Sequence, residues 1–150
     1  MKTFKGRPII PGSYSGKCMV SKSGLNLLAS FKSSILKKSK KAICMDQSNP
    51  DLYKKNISDR ILCLPITIGS TTGGIVIQTA ADLGMMPPAL LFSEHIDSLA
   101  AAGVITADIW SDKRIITIDN LGSDFLESVE EGMTIEIEED GTVRVLDAER

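Results

Sequence analysis

The stretch Arg60–Pro88, RILCLPITIGSTTGGIVIQTAADLGMMPP, decides how this chain is read. Ile61, Leu62, Leu64, Ile66 and Ile68 form an apolar run suited to a buried strand, and from Gly74 or Ile75 the spacing becomes one that a helix of about ten residues can use. Between them lies GSTTGG, Gly69–Gly74. That order puts the turn at a helix N-terminus, where the first backbone N–H groups have no intrahelical partner and the helix dipole favours negative charge. A carboxylate or phosphate could be held there, with Ser70, Thr71 and Thr72 presenting hydroxyls and Gly69, Gly73 and Gly74 allowing close backbone approach. Ser and Thr are also preferred helix caps, so the same residues suit a turn that only starts a helix. No Gly-Lys-Ser/Thr follows, and neither the GxGxxG nor the G-x-S-x-G spacing is present, which excludes a Walker A loop, a dinucleotide fingerprint and a nucleophile elbow. What remains is anion binding, or a serine acting on a small acid.

Outward from this stretch, strands surround and separate short helices. Phe4 to Ile10 reads as a strand ended by Pro11-Gly12, and Lys17 to Val20 as a second. Leu25 to Lys41 suits either a basic amphipathic helix on Leu27, Leu28, Phe31, Ile35 and Leu36 or a loop with short extended pieces. Ala42 to Met45 reads as a short strand and Gln47 to Asp59 as a polar connection. Gly84 supplies a C-cap, and Ala89 to Phe92 is a buried strand. Ser93 is expected to cap a helix through Leu99 to Ala102 that Gly103 closes, followed by a strand from Val104 to Ile109. Ile115 to Ile118 is another short strand, Ser123 to Glu131 is at most two helical turns, and MTIEIEEDGTVRVL is a hairpin around Asp140-Gly141. The pattern predicts a mixed α/β fold, with a compact barrel-like sheet of parallel and antiparallel pairs rather than a doubly wound one.

The 150 residues suit one domain, long enough for a real core but short for an enzyme that carries its own cofactor domain, which leaves room for a separate partner chain. No run reaches the length of a membrane span and no apolar segment follows the basic start, so the reading is a soluble, cytoplasmic protein with no membrane partner. Cys18, Cys44 and Cys63 are widely spaced, without a CxxC and with the single histidine His95, which argues against a disulfide framework or a self-contained metal site. His95 itself reads as a surface or helix-start residue. The net charge is only −2, but every charged residue before Asp46 is basic and acids dominate the last thirty positions. Such asymmetry suits an anionic partner or another subunit, or simply faces that meet in the fold. The lysines are not interleaved with aromatics, which argues against nucleic acid.

The order of motifs resembles the swivel domain, or small subunit, of the aconitase X family, whose members include cis-3-hydroxy-L-proline dehydratase and archaeal phosphomevalonate dehydratase. GRPIIPGSYSGKCMVS, DQSNPDLYKKNISDRILCLP, the glycine turn with its helix through MMPPALLF, and SLAAAGVITADIW carry the resemblance, and with the terminal hairpin they cover most of the chain. The resemblance implies one swivelling β/β/α domain over residues 1–150. It also implies a heterodimer with a large subunit that bears an iron–sulfur cluster, no cofactor being held by this chain. Ser70 maps to the family's proposed proton acceptor, and Gly69, Thr71, Thr72 and Gly73 to contacts with a small anionic hydroxy acid such as cis-3-hydroxy-L-proline or mevalonate 5-phosphate. Dehydration needs a base for a carbon-bound proton and a Lewis acid for the departing hydroxide. The chain departs from the family pattern at Gly74, where many relatives carry serine, at LNLLASFKSSILKKSKK, and at Asn49, where a histidine is common. The alternative reading is a non-catalytic anion-binding or interaction module with the same fold.

Overall fold

One short piece of chain occupies both edges of the main sheet. In the computed structural model, which describes residues 1–69 and 72–146, Lys2–Lys5 (β1) and Arg7–Ile10 (β2) flank Gly6. The remaining strands are Tyr14–Val20 (β3), Leu25–Asn26 (β4), Ile61–Leu64 (β5), Thr67–Ile68 (β6), Ala89–Phe92 (β7), Ile116–Asp119 (β8), Thr134–Ile137 (β9) and Thr142–Leu146 (β10). The helices are Leu27–Leu36 (α1), Gly73–Asp82 (α2), Ser98–Trp110 (α3) and Ser123–Ser128 (α4). Eight strands form a nearly closed mixed sheet in the order β1-β10-β9-β3-β5-β7-β8-β2, so the expected barrel-like architecture is present. The β4 and β6 strands make a separate two-stranded parallel sheet.

The expected single strand from Phe4 to Ile10 is therefore two strands that leave Gly6 for opposite edges. Glycine is required there, because a Cβ on Gly6 would lie 2.5 Å from the carbonyl oxygen of Asp119 and 2.5 Å from Ile118 Cγ2. The Gly6 amide donates to the carbonyl of Gly141 at 3.0 Å, which ties the hairpin turn between β9 and β10 to the seam. Pro8 cannot donate to a ladder, and it sits on the edge strand next to a register shift between Pro8 and Ile10.

The strands β3, β5, β7 and β8 are parallel neighbours, with Met19 opposite Leu62 and Leu62 opposite Leu90. Alternation along them feeds two cores. Met19, Leu62, Leu64, Leu90 and Phe92 face α1, α2 and α3, where they meet Phe31, Ile77, Ala80 and Val104. Cys18, Val20, Ile61, Cys63, Leu91 and Ile118 face the barrel interior, which α4 fills with Phe125 and Leu126. Phe125 packs edge-on against Phe4 with ring centroids 5.4 Å apart.

Within Leu25–Lys41 the short strand β4 leads directly into the helix α1, capped by the Asn26 side chain, which accepts from the Ala29 amide at 3.1 Å. The buried Ser34 hydroxyl accepts from the Ile43 amide at 3.0 Å, so this serine ties the helix to the next segment rather than weakening it. Other expectations fail where a contact distant in sequence holds the segment. Ala42–Met45 forms only an isolated bridge between Ile43 and Asn56, because the Asp46–Lys55 turns hold it instead: Cys44 donates to Lys55 and accepts from Lys54. Val104–Ile109 is not a strand but the second half of α3, which runs through Gly103. Parallel β7 and β8 need a crossover of a dozen or more residues between them, and only a helix in this segment supplies it. The cap of α3 is Asp97, not Ser93, whose amide is taken by the Leu64 carbonyl at 3.0 Å. Asn49 is buried, donates to Ser21 Oγ at 2.9 Å and accepts from the Leu52 amide at 3.2 Å, so it organises its own turn.

Substituting Gly6→Ala presses a methyl group onto a backbone oxygen that cannot rotate away, and the expected cost is about 1–3 kcal/mol, as for other overpacked sites. The midpoint of urea unfolding measures it, and an unchanged midpoint would show that the seam yields freely.

Candidate functional site

The carboxyl ends of β5 and β7 open onto one cleft of about 210 Å³. Parallel sheets place ligand sites at that end, in the loops that lead to the helices. Here Pro65 interrupts the apolar run, so the strand expected across residues 60–68 is β5 in the main sheet followed by β6 in the small one. The β6 strand pairs with β4, Leu25 opposite Thr67 and Asn26 opposite Ile68. Gly69 follows with φ +117, a conformation that side chains rarely adopt, and a Cβ there would stand 3.1 Å from Asn26 Oδ1.

The predicted site residues divide by position. Gly69 and Gly73 both line the cleft. Thr72 is the exposed N-cap of α2; its side chain does not cap the helix, and its carbonyl accepts from the Val76 amide at 3.1 Å. Gly73 is the buried first residue of α2, and a Cβ on it would lie 3.1 Å from Leu27 Cδ1. Ser70 and Thr71 lie outside the described residues. Gly74 serves packing. Its Cβ would fall 2.9 Å from the Leu99 carbonyl, while Gly103 on α3 has no room for one either, at 2.9 Å from the Gly74 carbonyl. Two glycines face to face let α2 sit directly on the backbone of α3.

Three residues in or beside the cleft are not singled out by the sequence pattern. Asn26 caps α1, Asp97 caps α3 through the Ala100 amide at 2.8 Å, and the buried Thr67 hydroxyl donates to the second oxygen of Asp97. The N-termini of α1, α2 and α3 thus converge on the cleft, which Leu27, Thr67, Asp97 and Leu99 complete. A signal for the two caps is present, since both Asn26-Leu-Leu-Ala and Asp97-Ser-Leu-Ala read as cap followed by an apolar turn.

Next to the cleft, the loop from β7 to α3 is fixed by a buried carboxylate. Asp119 at the end of β8 accepts from Arg7 Nε at 3.0 Å and Arg7 Nη2 at 2.8 Å, and from the Ile96 amide at 2.9 Å. Burial works against the Asp119 charge, but the Arg7 guanidinium and the Ile96 amide outweigh it and hold the carboxyl below its ordinary range. Arg7 Nη2 also lies 3.2 Å from His95 Nε2, and His95 Nδ1 is 2.7 Å from the Ile96 carbonyl. A carbonyl only accepts, so Nδ1 carries the proton and Nε2 receives from the arginine.

The cysteines of this chain do not fit an iron–sulfur cluster. All three are free and buried, Cys44 lies in the helix-side core while Cys18 and Cys63 point into the barrel, and burial pushes the Cys63 thiol up. Among the described residues no group of three or more His, Cys, Asp or Glu side chains is placed to hold a metal ion.

The sequence matches the aconitase X swivel domain family over residues 3–145. The chain belongs to that family. Among solved structures, the swivel domain superimposes on Thermococcus kodakaraensis aconitase X in its holo-form with a TM-score of 0.80 and 25% identity, covering 98% of this chain and 100% of that one. A UPF0107 protein solved by solution NMR shares the fold at a TM-score of 0.78 and 22% identity, over 97% of this chain and 100% of that one. No curated protein matches the sequence. Among the described residues no helix of the swivel domain is long and apolar enough to cross a membrane.

The depressed carboxyl of Asp119 carries a pH dependence whose sign is fixed. Its contribution to stability is present above the unfolded value of 3.8 and is lost as the pH falls through the lower folded value. Arg7→Gln removes part of the depression, so the variant starts less stable at pH 7 and loses less between pH 7 and acid than the parent does. Urea midpoints measured across that range test this, and parallel curves for the two proteins would contradict it.

Proposed function

We propose that this swivel domain is the small subunit of a cytoplasmic, two-chain aconitase-X-type hydro-lyase that dehydrates a small anionic hydroxy acid, with Ser70 as proton acceptor. The family match over residues 3–145 carries the reading. The cleft supports it, because Gly69 and Gly73, which flank the stretch that holds Ser70 and Thr71, both line a recess at the carboxyl ends of parallel strands. In this reading Thr71, Thr72 and Gly73 contact the substrate anion, and the first turn of α2 favours negative charge beside them.

An alcohol is a poor base at neutral pH, so the Ser70 anion needs N–H donors and exclusion of water when the site closes. The chain brings donors and small residues to the turn. Among the described residues no group of three or more His, Cys, Asp or Glu is placed to hold a metal ion; in this reading the Lewis acid that assists the departing hydroxide, an iron–sulfur cluster, belongs to the large partner subunit. Closure against that partner is what would complete the site.

The test is production of the chain together with a large aconitase-X-type subunit, with cis-3-hydroxy-L-proline and mevalonate 5-phosphate as substrates. Turnover of one of them is expected only when both chains are present, and Ser70→Ala is expected to lower kcat by about 100-fold or more, the usual share of a general base. Full activity in Ser70→Ala would sink the assigned role. A tight complex that turns over neither compound would favour a binding module instead.

A further inference from the structure

Asp97 and Thr67 line the cleft, yet neither the glycine turn nor the family match singles them out. Described residues on either side of Ser70 and Thr71 meet α3 or its cap. On the far side Gly74 rests on the backbone of Leu99 and Gly103. On the near side the chain leaves β6, a strand of only two residues whose one sheet partner is the equally short β4. So small a strand has little backbone pairing to locate it against α3. Among the described residues, one side-chain hydrogen bond joins β6 to the cap of α3: the buried Thr67 hydroxyl donating to Asp97. The other carboxylate oxygen of Asp97 is already committed to the Ala100 amide at 2.8 Å. Asp97 is held in turn from the side of the barrel, because the neighbouring Ile96 amide is bound by the buried Asp119 carboxylate.

We propose that the Thr67–Asp97 hydrogen bond is the positioning device of the candidate site, setting where Gly69 stands relative to α3 and the cleft. The proposal rests on the reading of that cleft as the place of chemistry. Asp97 is a positioning residue and not a proton carrier: both of its oxygens have a donor, and its effect reaches the substrate through the turn. A reacting group displaced by about 1 Å can cost a factor on the order of 100, so a hydrogen bond two residues ahead of Gly69 has leverage out of proportion to its strength.

Thr67→Val is the discriminating variant, since it keeps the shape of the side chain and leaves the cap of α3 intact. In the two-chain enzyme it is expected to lower kcat by roughly 10-fold to 100-fold with KM within about twofold, as displacement of a reacting group requires. Asp97→Asn, which keeps an oxygen for the Ala100 amide and offers an N–H to the Thr67 oxygen, is expected to hold kcat close to the parent value. Asp97→Ala, which removes both bonds, should fall at least as far as Thr67→Val. Unchanged kcat in Thr67→Val overturns the proposal, and so does an Asp97→Asn variant as impaired as Asp97→Ala, because the charge itself would then be what matters. A second measurement is independent of turnover. The amide resonances of Gly69 and Gly73 in the full small chain should shift in Thr67→Val and much less in Asp97→Asn, while the unfolding temperature stays near that of the parent. If the two-chain assembly dehydrates neither substrate, the functional reading fails, and these resonances still decide the positioning role: no shift in Thr67→Val removes it.

Discussion

The closing of the sheet at Gly6 is the constraint on which the rest depends. A continuous chain from Lys2 to Ile10 pairs first with β10 at one edge and then with β8 at the other, so two edges that would stand open are covered by one segment. The arrangement needs backbone to pass within contact of the Asp119 carbonyl, which only glycine permits. Its consequences reach well beyond the seam. Closure buries the interior lined by Cys18, Ile61, Leu91 and Ile135, and it places Arg7, the first residue after the turn, on the buried carboxylate of Asp119. That carboxylate binds the Ile96 amide, next to the residue that caps α3 and takes the Thr67 hydroxyl. A chain of direct contacts thus runs from the seam of the barrel to the edge of the cleft.

The parallel half of the sheet has a different role. The strands β5, β7 and β8 are buried on both faces, by helices on one and by the barrel interior and α4 on the other. With both faces occupied, the carboxyl ends of these strands are where loops can diverge without disturbing the core. The swivel domain uses that end for its glycine turn and for the starts of α1, α2 and α3. Close seating of α2 on α3 through Gly74 and Gly103 keeps two of those starts together, and Gly74 cannot carry a side chain without a shift because the space is filled by the Leu99 carbonyl.

Much of this is legible in the residues. The terminal hairpin around Asp140-Gly141, the buried strand Ala89–Phe92, the short helix after Ser123 and the helix after the glycine turn all stand where alternation and turn residues put them. The stretches that mislead are those whose local preference is overruled by a distant partner. Val104–Ile109 is rich in strand formers, yet the crossover between parallel strands demands a helix there. Ser93 has the chemistry of a cap, but its amide is engaged by the strand beside it. Gly6 reads as an ordinary strand residue, because nothing adjacent to it in sequence reports that Asp119 lies against it.

For the site, residue order alone settles the glycine turn, its place between a strand and a helix, and the motif order that marks the family. These features are local or ordered along the chain, and spacing carries them. Packing in three dimensions settles the rest: that Thr67 and Asp97 line the cleft with Gly69 and Gly73, that Asn26 lies against Gly69, and that Gly74 serves packing. Those residues come from three separate connections, and what brings them together is the parallel order of the strands and the closure of the barrel, neither of which a pattern of neighbours along the chain can express.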